Sequence, residues 1–151
     1  MAPPARKFTL DTNIFIRAFR HPRTNADLQL FHHAFAPFEL LSAVVAQELR
    51  AGACPAQVVA LEKNLLHPFE RRGRVFTPSY AAWTATGEVL ASLIARERMT
   101  WSAIHRSFVN DVLLAMSCRE AGITLITDNL KDFERIARER EFAFAPPWPA
   151  P

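Results

Sequence analysis

An apolar segment that stops at an aspartate and resumes as an amphipathic segment constrains the fold of this chain more than any other feature. It spans residues 7–16, Lys-Phe-Thr-Leu-Asp-Thr-Asn-Ile-Phe-Ile. Residues 7–10 have the pattern of a short strand, and residues 13–19 carry apolar side chains at helical spacing. A strand that leads directly into a helix places Asp11 at the carboxyl end of that strand, where open α/β sheets form their ligand crevice. The segment therefore predicts an α/β fold with a carboxylate at its functional edge.

A second apolar segment near the other end of the chain repeats this pattern. Residues 123–127, Ile-Thr-Leu-Ile-Thr, predict a short strand, and Asp128 follows it directly. In a parallel sheet with right-handed crossovers, strands that end at residues 10 and 127 emerge at the same edge. Asp11 and Asp128 are therefore expected to lie near each other.

Two further acids fall on predicted helices that can begin or end at this edge. Glu48 lies in the last turn of a helix predicted over residues 43–51, where the helix dipole disfavours an acid. Asp111 lies near the start of an apolar helix predicted over residues 108–116, where the dipole favours an acid, so helix stability alone also explains it. The position of Glu48 indicates a role outside its own helix.

The distribution of aspartates predicts a metal site. Of the five aspartates, four lie at strand-to-helix junctions or near the start of a buried helix: Asp11, Asp111, Asp128 and Asp132. Gathered carboxylates repel each other and lose hydration, so they are tolerated chiefly where a divalent cation neutralises them. Oxygen ligands without Cys or His partners favour Mg²⁺ or Mn²⁺. Such an ion activates water and stabilises charge at phosphorus, which predicts phosphodiester or phosphoryl chemistry.

The length of the chain supports one domain. With 151 residues, half of them hydrophobic, the chain can bury a single core over residues 1–145. Residues 146–151 are rich in proline and are expected to form an extended tail, with Trp148 as a candidate docking anchor.

Three elements between the acidic segments have less distinctive patterns. Residues 79–98 predict a long helix, with Tyr80 and Trp83 facing the core or a subunit interface. Residues 99–107 are expected to be a loop, and residues 141–144 the last strand.

Arginine outnumbers lysine by 15 to 3, and the sequence pI is about 9.3. Because the guanidinium fork suits phosphate oxygens, this bias favours a polyanionic partner. Arg17 and Arg20 share one face of the helix that follows Asp11 and are predicted to contact phosphates of such a partner. Arginine-rich usage that reflects genomic base composition explains the same bias equally well.

Export and membrane insertion are not indicated. The first seven residues lead into a strand instead of a long apolar segment, and no apolar run approaches membrane-spanning length. Cys54 and Cys118 have neither metal-ligand nor C-x-x-C spacing, which is typical of free thiols in a reducing compartment. A cytoplasmic location without a membrane partner is expected.

Four short segments, taken in order, resemble the acidic motifs of the PIN-domain nucleases. They are residues 10–14 (LDTNI), 47–52 (QELRAG), 110–115 (NDVLLA) and 125–129 (LITDN), the last followed by Asp132-Phe133. The order, spacing and chain length are most similar to the VapC-type ribonuclease toxins of bacterial VapBC (type II) toxin–antitoxin modules. The resemblance extends over residues 7–144, and four motifs in order make it specific.

The resemblance implies a three-layer α/β/α sandwich around a central, mainly parallel sheet, and hydrolytic cutting of RNA with Mg²⁺ or Mn²⁺. The catalytic metal ligands that it implies are Asp11, Glu48, Asp111 and, as the fourth, Asp128. The polar residues that match those orienting the acids are Thr12, Asn13, Asn110 and Thr127. It also implies three partners: RNA, a cognate antitoxin whose tail enters the acidic groove, and a second copy of the chain in a homodimer.

The fourth ligand departs from the family pattern. In many members the fourth acid stands two residues after the threonine, where this chain has Asn129. Asp128 stands one residue after the threonine, and Asp132 begins the Asp-Phe pair. Asn129, as a neutral or water-mediated ligand, and Asp132 therefore remain alternatives to Asp128.

Other functions fit less well. A phosphatase of the haloacid dehalogenase type needs a second aspartate two residues after Asp11, where Asn13 stands. A response-regulator receiver needs adjacent acids near the first strand and a lysine after the last, and neither is present. The remaining alternatives are a catalytically silent PIN fold that binds RNA or protein, and a housekeeping PIN ribonuclease.

Overall fold

A five-stranded sheet forms the centre of the computed structural model, which describes residues 6–148. Every neighbouring pair of strands is parallel, in the order β3-β2-β1-β4-β5. The strands are β1 (Lys7–Leu10), β2 (Glu39–Ser42), β3 (Val75–Phe76), β4 (Ile123–Ile126) and β5 (Phe144–Ala145). The predicted α/β fold with a parallel sheet is confirmed.

The chain leaves the centre of this sheet in two directions. β1 connects to β2 and then to the edge strand β3, whereas β4 lies on the other side of β1 and connects outward to β5. Because β-α-β crossovers are right-handed, these two directions place their helices on opposite faces of the sheet. The carboxyl ends of β1 and β4 therefore flank a topological switch point, where open sheets form a ligand crevice.

The helices that precede β3 form one layer. They are α1 (Thr12–Arg20), α2 (Pro22–Phe35), α3 (Ala43–Gly52), α4 (Pro55–Leu61), a π-helical turn (Glu62–Leu66) and α5 (His67–Arg71). α1 packs against both α2 and α3. Ser42 caps α3, because its hydroxyl accepts a hydrogen bond from the Val44 amide at 3.1 Å. This cap fixes the direction in which α3 leaves the carboxyl end of β2.

The helices that follow β3 form the other layer. They are α6 (Tyr80–Glu97), a 3₁₀ turn (Trp101–Ala103), α7 (Arg106–Ala121) and α8 (Leu130–Glu139), and they pack against one another. Residues 112–118 of α7 are all buried, as expected for an apolar helix that neighbouring elements surround. Gly122 ends α7 with a φ of 67°, a left-handed conformation that glycine adopts without steric cost.

The region predicted as a loop over residues 99–107 contains more helix than expected. It includes the 3₁₀ turn at Trp101–Ala103, and α7 begins at Arg106 instead of residue 108. The earlier start follows from a cap that the sequence pattern did not reveal: Nδ1 of His105 accepts a hydrogen bond from the Ser107 amide at 3.2 Å.

The last strand is shorter than predicted and lies later in the chain. Residues 144–145 form β5, and residues 141–143 do not belong to it. β5 pairs with the last two residues of β4, and the amides of Leu125 and Thr127 donate to the carbonyls of Ala143 and Ala145, both at 3.0 Å. Pro146 and Pro147 follow at once, and proline has no amide hydrogen with which to continue the ladder.

Tyr80 and Trp83 do not face the core, so that part of the prediction for α6 is wrong. Their side chains are 87% and 55% exposed. The buried face of α6 begins with the small residues Ala82 and Ala85, which allow close packing against α7. The two aromatic side chains therefore stand on the outer surface.

Trp148, the candidate anchor of the tail, lies against α2. The ring of Trp148 packs on Phe31 of α2, with centroids 5.1 Å apart. Residues 149–151 of the tail, and residues 1–5 at the other terminus, lie outside the described residues. Within residues 6–148, no helix combines the length and apolar character that crossing a bilayer requires.

Candidate functional site

Asp11 stands at the carboxyl end of β1 and caps α1. Its backbone amide donates a hydrogen bond to the Ile126 carbonyl at 2.9 Å, which places it beside the end of β4. Its side chain is 3% exposed. Oδ1 accepts a hydrogen bond from the Thr12 amide, and Oδ2 accepts one from the Thr127 hydroxyl, both at 2.8 Å. Protein donors therefore fix the orientation of this carboxylate on both oxygens.

Thr127 connects the ends of the two central strands. It is fully buried, and its hydroxyl accepts a hydrogen bond from the Asn129 amide at 3.0 Å while it donates to Asp11. The hydroxyl proton is thereby directed at the Asp11 carboxylate. The turn after β4 and the turn after β1 are held together by this single side chain.

Glu48 reaches the same place from α3. Its Oε1 accepts a hydrogen bond from the Thr12 hydroxyl at 2.9 Å. Thr12 is the first residue of α1, and its amide also donates to Asp11. One threonine thus contacts both acids. Glu48 stands at a helix C-terminus, where the helix dipole disfavours an acid. Its contact with Thr12 lies outside its own helix.

Asp111 approaches from the opposite helical layer, on α7. The pKa of its carboxyl is raised from 3.8 to about 8. Burial is the main cause, and the negative charges of Asp11, Glu48 and Asp132 add to it. The acids that act on Asp111 as neighbouring charges come from the β1–α1 junction, from α3 and from α8.

Burial likewise raises the pKa of Asp11, to about 6. The hydrogen bonds from Thr127 and Thr12 act in the opposite direction, and the charges of Glu48 and Asp128 add to the increase. Two carboxyls whose pKa values are raised in this way are typical of functional sites. Ionisation of Asp11 and Asp111 is unfavourable here, and a nearby positive charge would offset that cost.

The three candidates for the fourth ligand lie in different surroundings. Oδ2 of Asp128 lies 2.7 Å from Nη2 of Arg17, as an ion pair. Asp132, in the first turn of α8, accepts a hydrogen bond on Oδ2 from Nδ2 of Asn129 at 3.0 Å. The charge of Asp132 acts on Asp111, whereas that of Asp128 acts on Asp11.

The other predicted residues lie at the margin of this site. Asn13 is exposed and Asn110 is half-buried, and within residues 6–148 neither side chain hydrogen-bonds to the acids. Arg17 and Arg20 are exposed in the last turn of α1. Arg20 lines a groove beside Glu48, whereas Arg17 contacts Asp128.

The donor set fits a hard divalent cation. The converging side chains offer carboxylate oxygens, the ligands that Mg²⁺ and Mn²⁺ prefer, and their raised pKa values show charge that a cation would neutralise. In the described part of the chain, no three acidic, histidine or cysteine side chains already enclose a point where an ion could be held. The site fits a cation by charge and chemistry and is open in shape.

Sequence reasoning did not reveal a groove next to the acids. It has a volume of about 560 Å³, and its wall includes side chains of α1, α2, α3 and α4. Apolar residues such as Ile16, Leu49 and Leu61 line it, and Glu48 and Arg20 lie on its wall. The groove forms where four successive helices pack together, so no pattern within one helix signals it.

A buried acid outside the site was also missed. Glu39, the first residue of β2, is 3% exposed, and its Oε2 lies 2.5 Å from Nδ1 of His32. The ring of His32 stacks on Phe15, and it also lines the groove. The pair fixes α2 against the sheet behind that groove.

A family model for the PIN domain matches residues 8–139, which is most of the chain. This chain belongs to the PIN domain family. Nucleases of the PIN family are hydrolases that act on nucleic acid and generally use divalent metal ions. Among curated proteins, none matches the sequence.

Several solved structures share the fold of this PIN-domain protein. A DNA-bound VapBC from Salmonella typhimurium has a TM-score of 0.70 and 21% identity, covering 94% of this chain and 98% of that chain. VapBC2 from Rickettsia felis, bound to a promoter DNA fragment, has a TM-score of 0.63 and 23% identity, covering 94% and 98%. FitAcB from Neisseria gonorrhoeae has a TM-score of 0.65 and 19% identity, covering 95% and 99%. At these identities the similarity establishes a common fold.

Proposed function

We propose that this PIN-domain protein is a metal-dependent endoribonuclease that hydrolyses RNA phosphodiester bonds, and that it is the toxin of a toxin–antitoxin pair. The observation that carries the proposal is the convergence of Asp11, Glu48 and Asp111 at the switch point of the sheet, with the pKa values of both aspartates raised. Membership in the PIN family supports nuclease chemistry. The choice of RNA and the role as a toxin rest on the motif resemblance and on the fold shared with VapBC proteins.

Three of the proposed ligands are Asp11, Glu48 and Asp111. For the fourth we favour Asp132 over Asp128, because the charge of Asp132 acts on Asp111 and its carboxylate is held by Asn129. Asn129 itself is less suited, since its amide group already donates to Asp132 and its backbone to Thr127.

In the proposed reaction, a water oxygen bonds to phosphorus, the bond from phosphorus to one ribose oxygen breaks, and that oxygen leaves with a proton. Asp11, Glu48 and Asp111 would hold Mg²⁺ or Mn²⁺, and such an ion, when bound, would supply a more acidic water and positive charge near phosphorus. Thr12 and Thr127 hold Glu48 and Asp11 in fixed orientations through hydrogen bonds of 2.8–2.9 Å. The site is thereby organised before substrate binds.

Removal of divalent ions tests this function. We expect the purified protein to cleave single-stranded or hairpin RNA in Mg²⁺ or Mn²⁺, and to lose cleavage by about a hundredfold or more in EDTA, since the acids alone cannot activate water. Added Mn²⁺ should restore it, and DNA of the same sequence serves as the comparison substrate. Gel analysis of labelled RNA and DNA measures the cleavage under each condition. RNA binding without cleavage in any divalent ion would instead identify a catalytically silent PIN module.

We also propose that the groove beside Glu48 receives a segment of the antitoxin. Its apolar wall suits an amphipathic helix, and the neighbouring acids suit a basic side chain at the end of that segment. Such a segment would prevent RNA from reaching Asp11 and Glu48. The support is the adjacency of groove and acids, together with the motif resemblance.

A homodimer is proposed from the outer surface of α6. Tyr80 and Trp83 are large, exposed and one turn apart on this helix. Aromatic side chains of this kind are enriched in protein interfaces, where they bury large areas.

Light scattering tests the homodimer, and co-expression tests the complex with an antitoxin. By light scattering during size exclusion, the chain alone should have twice its mass of 17.1 kDa, and Trp83→Glu should reduce this to a monomer. Co-expression with the product of a short adjacent reading frame should give a larger complex and relieve growth inhibition. A monomeric wild-type chain that captures no such product, and does not inhibit growth, would contradict both proposals and favour a housekeeping ribonuclease.

A further inference from the structure

The ion pair between Arg17 and Asp128 joins the segments that flank the proposed site. Arg17 projects from the last turn of α1, and Asp128 follows β4. Nη2 of Arg17 lies 2.7 Å from Oδ2 of Asp128, and the side chains are 56% and 17% exposed. One end of the guanidinium is therefore held by a mostly buried carboxylate, while much of the remainder faces solvent at the rim of the acids.

Asp128 depends on this contact. Its Oδ2 is buried, and within residues 6–148 it has no hydrogen-bond partner, because the guanidinium meets it as an ion pair without hydrogen-bond alignment. A buried carboxylate oxygen that lacks a partner carries a desolvation cost, which a close cation offsets. The surroundings of Asp128 are thus explained by Arg17.

The substrate requires a cation at this rim. An RNA phosphodiester that approaches Asp11, Glu48 and Asp111 approaches acidic side chains, and the pKa values of Asp11 and Asp111 are already raised by burial and by neighbouring carboxylates. A guanidinium has five N–H donors in a planar fork. With one nitrogen facing Asp128, the other donors of Arg17 remain available for two oxygens of one phosphate.

We propose that Asp128 is a positioning residue that holds Arg17 for contact with a phosphate of the bound RNA, and that Asp128 is not a metal ligand. This inference rests on the proposed function and adds a substrate-binding pair to it. Arg20 lies on the groove wall and within residues 6–148 forms no ion pair, so no side chain of this kind holds it.

RNA binding in EDTA tests the pair without cleavage, with fluorescence anisotropy of a short single-stranded RNA as the readout. Arg17→Ala should weaken binding about 10-fold and lower the salt slope by about 0.7. Asp128→Asn should weaken binding by about 3-fold, although it removes a negative charge and bulk electrostatics alone would strengthen binding. Asp27→Asn, the same charge change at an exposed position of α2, should leave binding unchanged or slightly tighter.

Kinetics and metal binding separate positioning from ligation. In Mn²⁺, Asp128→Asn should raise KM for RNA with a small effect on kcat, and the double variant with Arg17→Ala should be no worse than Arg17→Ala alone. Calorimetric Mn²⁺ affinity of Asp128→Asn should stay within about 2-fold of wild type, whereas Asp11→Asn should lose it.

The inference is overturned if Asp128→Asn binds RNA as Asp27→Asn does, or if it lowers Mn²⁺ affinity as much as Asp11→Asn does. Failure of the proposed function has a separate signature. In that case the wild type binds no Mn²⁺ and cleaves no RNA, while anisotropy in EDTA still reports whether Asp128 supports RNA binding through Arg17.

Discussion

Asp11→Asn should reduce metal-dependent RNA cleavage by about a thousandfold or more, because it removes the charged ligand at the centre of the proposed site. Asparagine is a good N-cap, and its carbonyl can still accept the hydrogen bond from the Thr12 amide. The fold should therefore remain intact, and circular dichroism checks this. The change isolates the charge of Asp11 from its structural role.

The measurement is the single-turnover rate of RNA cleavage in Mn²⁺, with Asp27→Asn as the matched control. Asp27 is exposed on α2, so loss of its charge should leave the rate within about 2-fold of wild type. Equal rates for Asp11→Asn and wild type would show that the activity comes from a contaminating ribonuclease or from another site.

Asp111→Asn should make the metal-free protein more stable near neutral pH while abolishing its stabilisation by Mn²⁺. The pKa of Asp111 is raised from 3.8 to about 8 by burial and by neighbouring acids. The folded state therefore binds this proton more tightly than the unfolded state, so the contribution of Asp111 to stability is greatest below about pH 4 and is lost as the pH rises through about 8. Asparagine does not ionise, so the variant avoids this loss of stability as the pH rises. We expect it to be about 1–3 kcal/mol more stable than the wild type at neutral pH.

Thermal unfolding in EDTA and in Mn²⁺ measures both effects. At neutral pH, Asp111→Asn should raise the Tm in EDTA by several degrees, from about 2–4 °C per kcal/mol for a chain of this size. Mn²⁺ at a hundred times its Kd should stabilise the wild type by about 2.7 kcal/mol and the variant by much less. A variant less stable than wild type in EDTA at this pH would show that Asp111 supports the fold, contrary to the proposal.

The sequence predicted the acids of the site because each lies in a recognisable local pattern. Asp11 ends a strand, so its position followed from the order of the elements alone. Glu48 was conspicuous because it stands at a helix end that disfavours acids, and its contact with Thr12 now supplies a physical reason.

Contacts between distant segments were beyond prediction, because they depend on how each helix is rotated. The pair Arg17–Asp128 is of this kind, and the pair His32–Glu39 and the groove beside Glu48 depend on helix rotation in the same way, although their residues are closer in sequence. The orientation of α6 was misjudged for a related reason. Tyr80 and Trp83 were expected to face the core because they are large and apolar. The buried face of α6 instead carries Ala82 and Ala85 at this end, and the two aromatic side chains are exposed.

The place of β4 in the sheet determines when the proposed site can exist during synthesis of the chain. β4 pairs directly with β1 at the centre, yet it is the next-to-last strand to be made. The hydrogen bond from Thr127 to Asp11 spans 116 residues. Until the ribosome has added β4, Asp11 lacks both this donor and its neighbouring strand. A chain released just before that point contains Asp11, Glu48 and Asp111 without the strand that completes their framework.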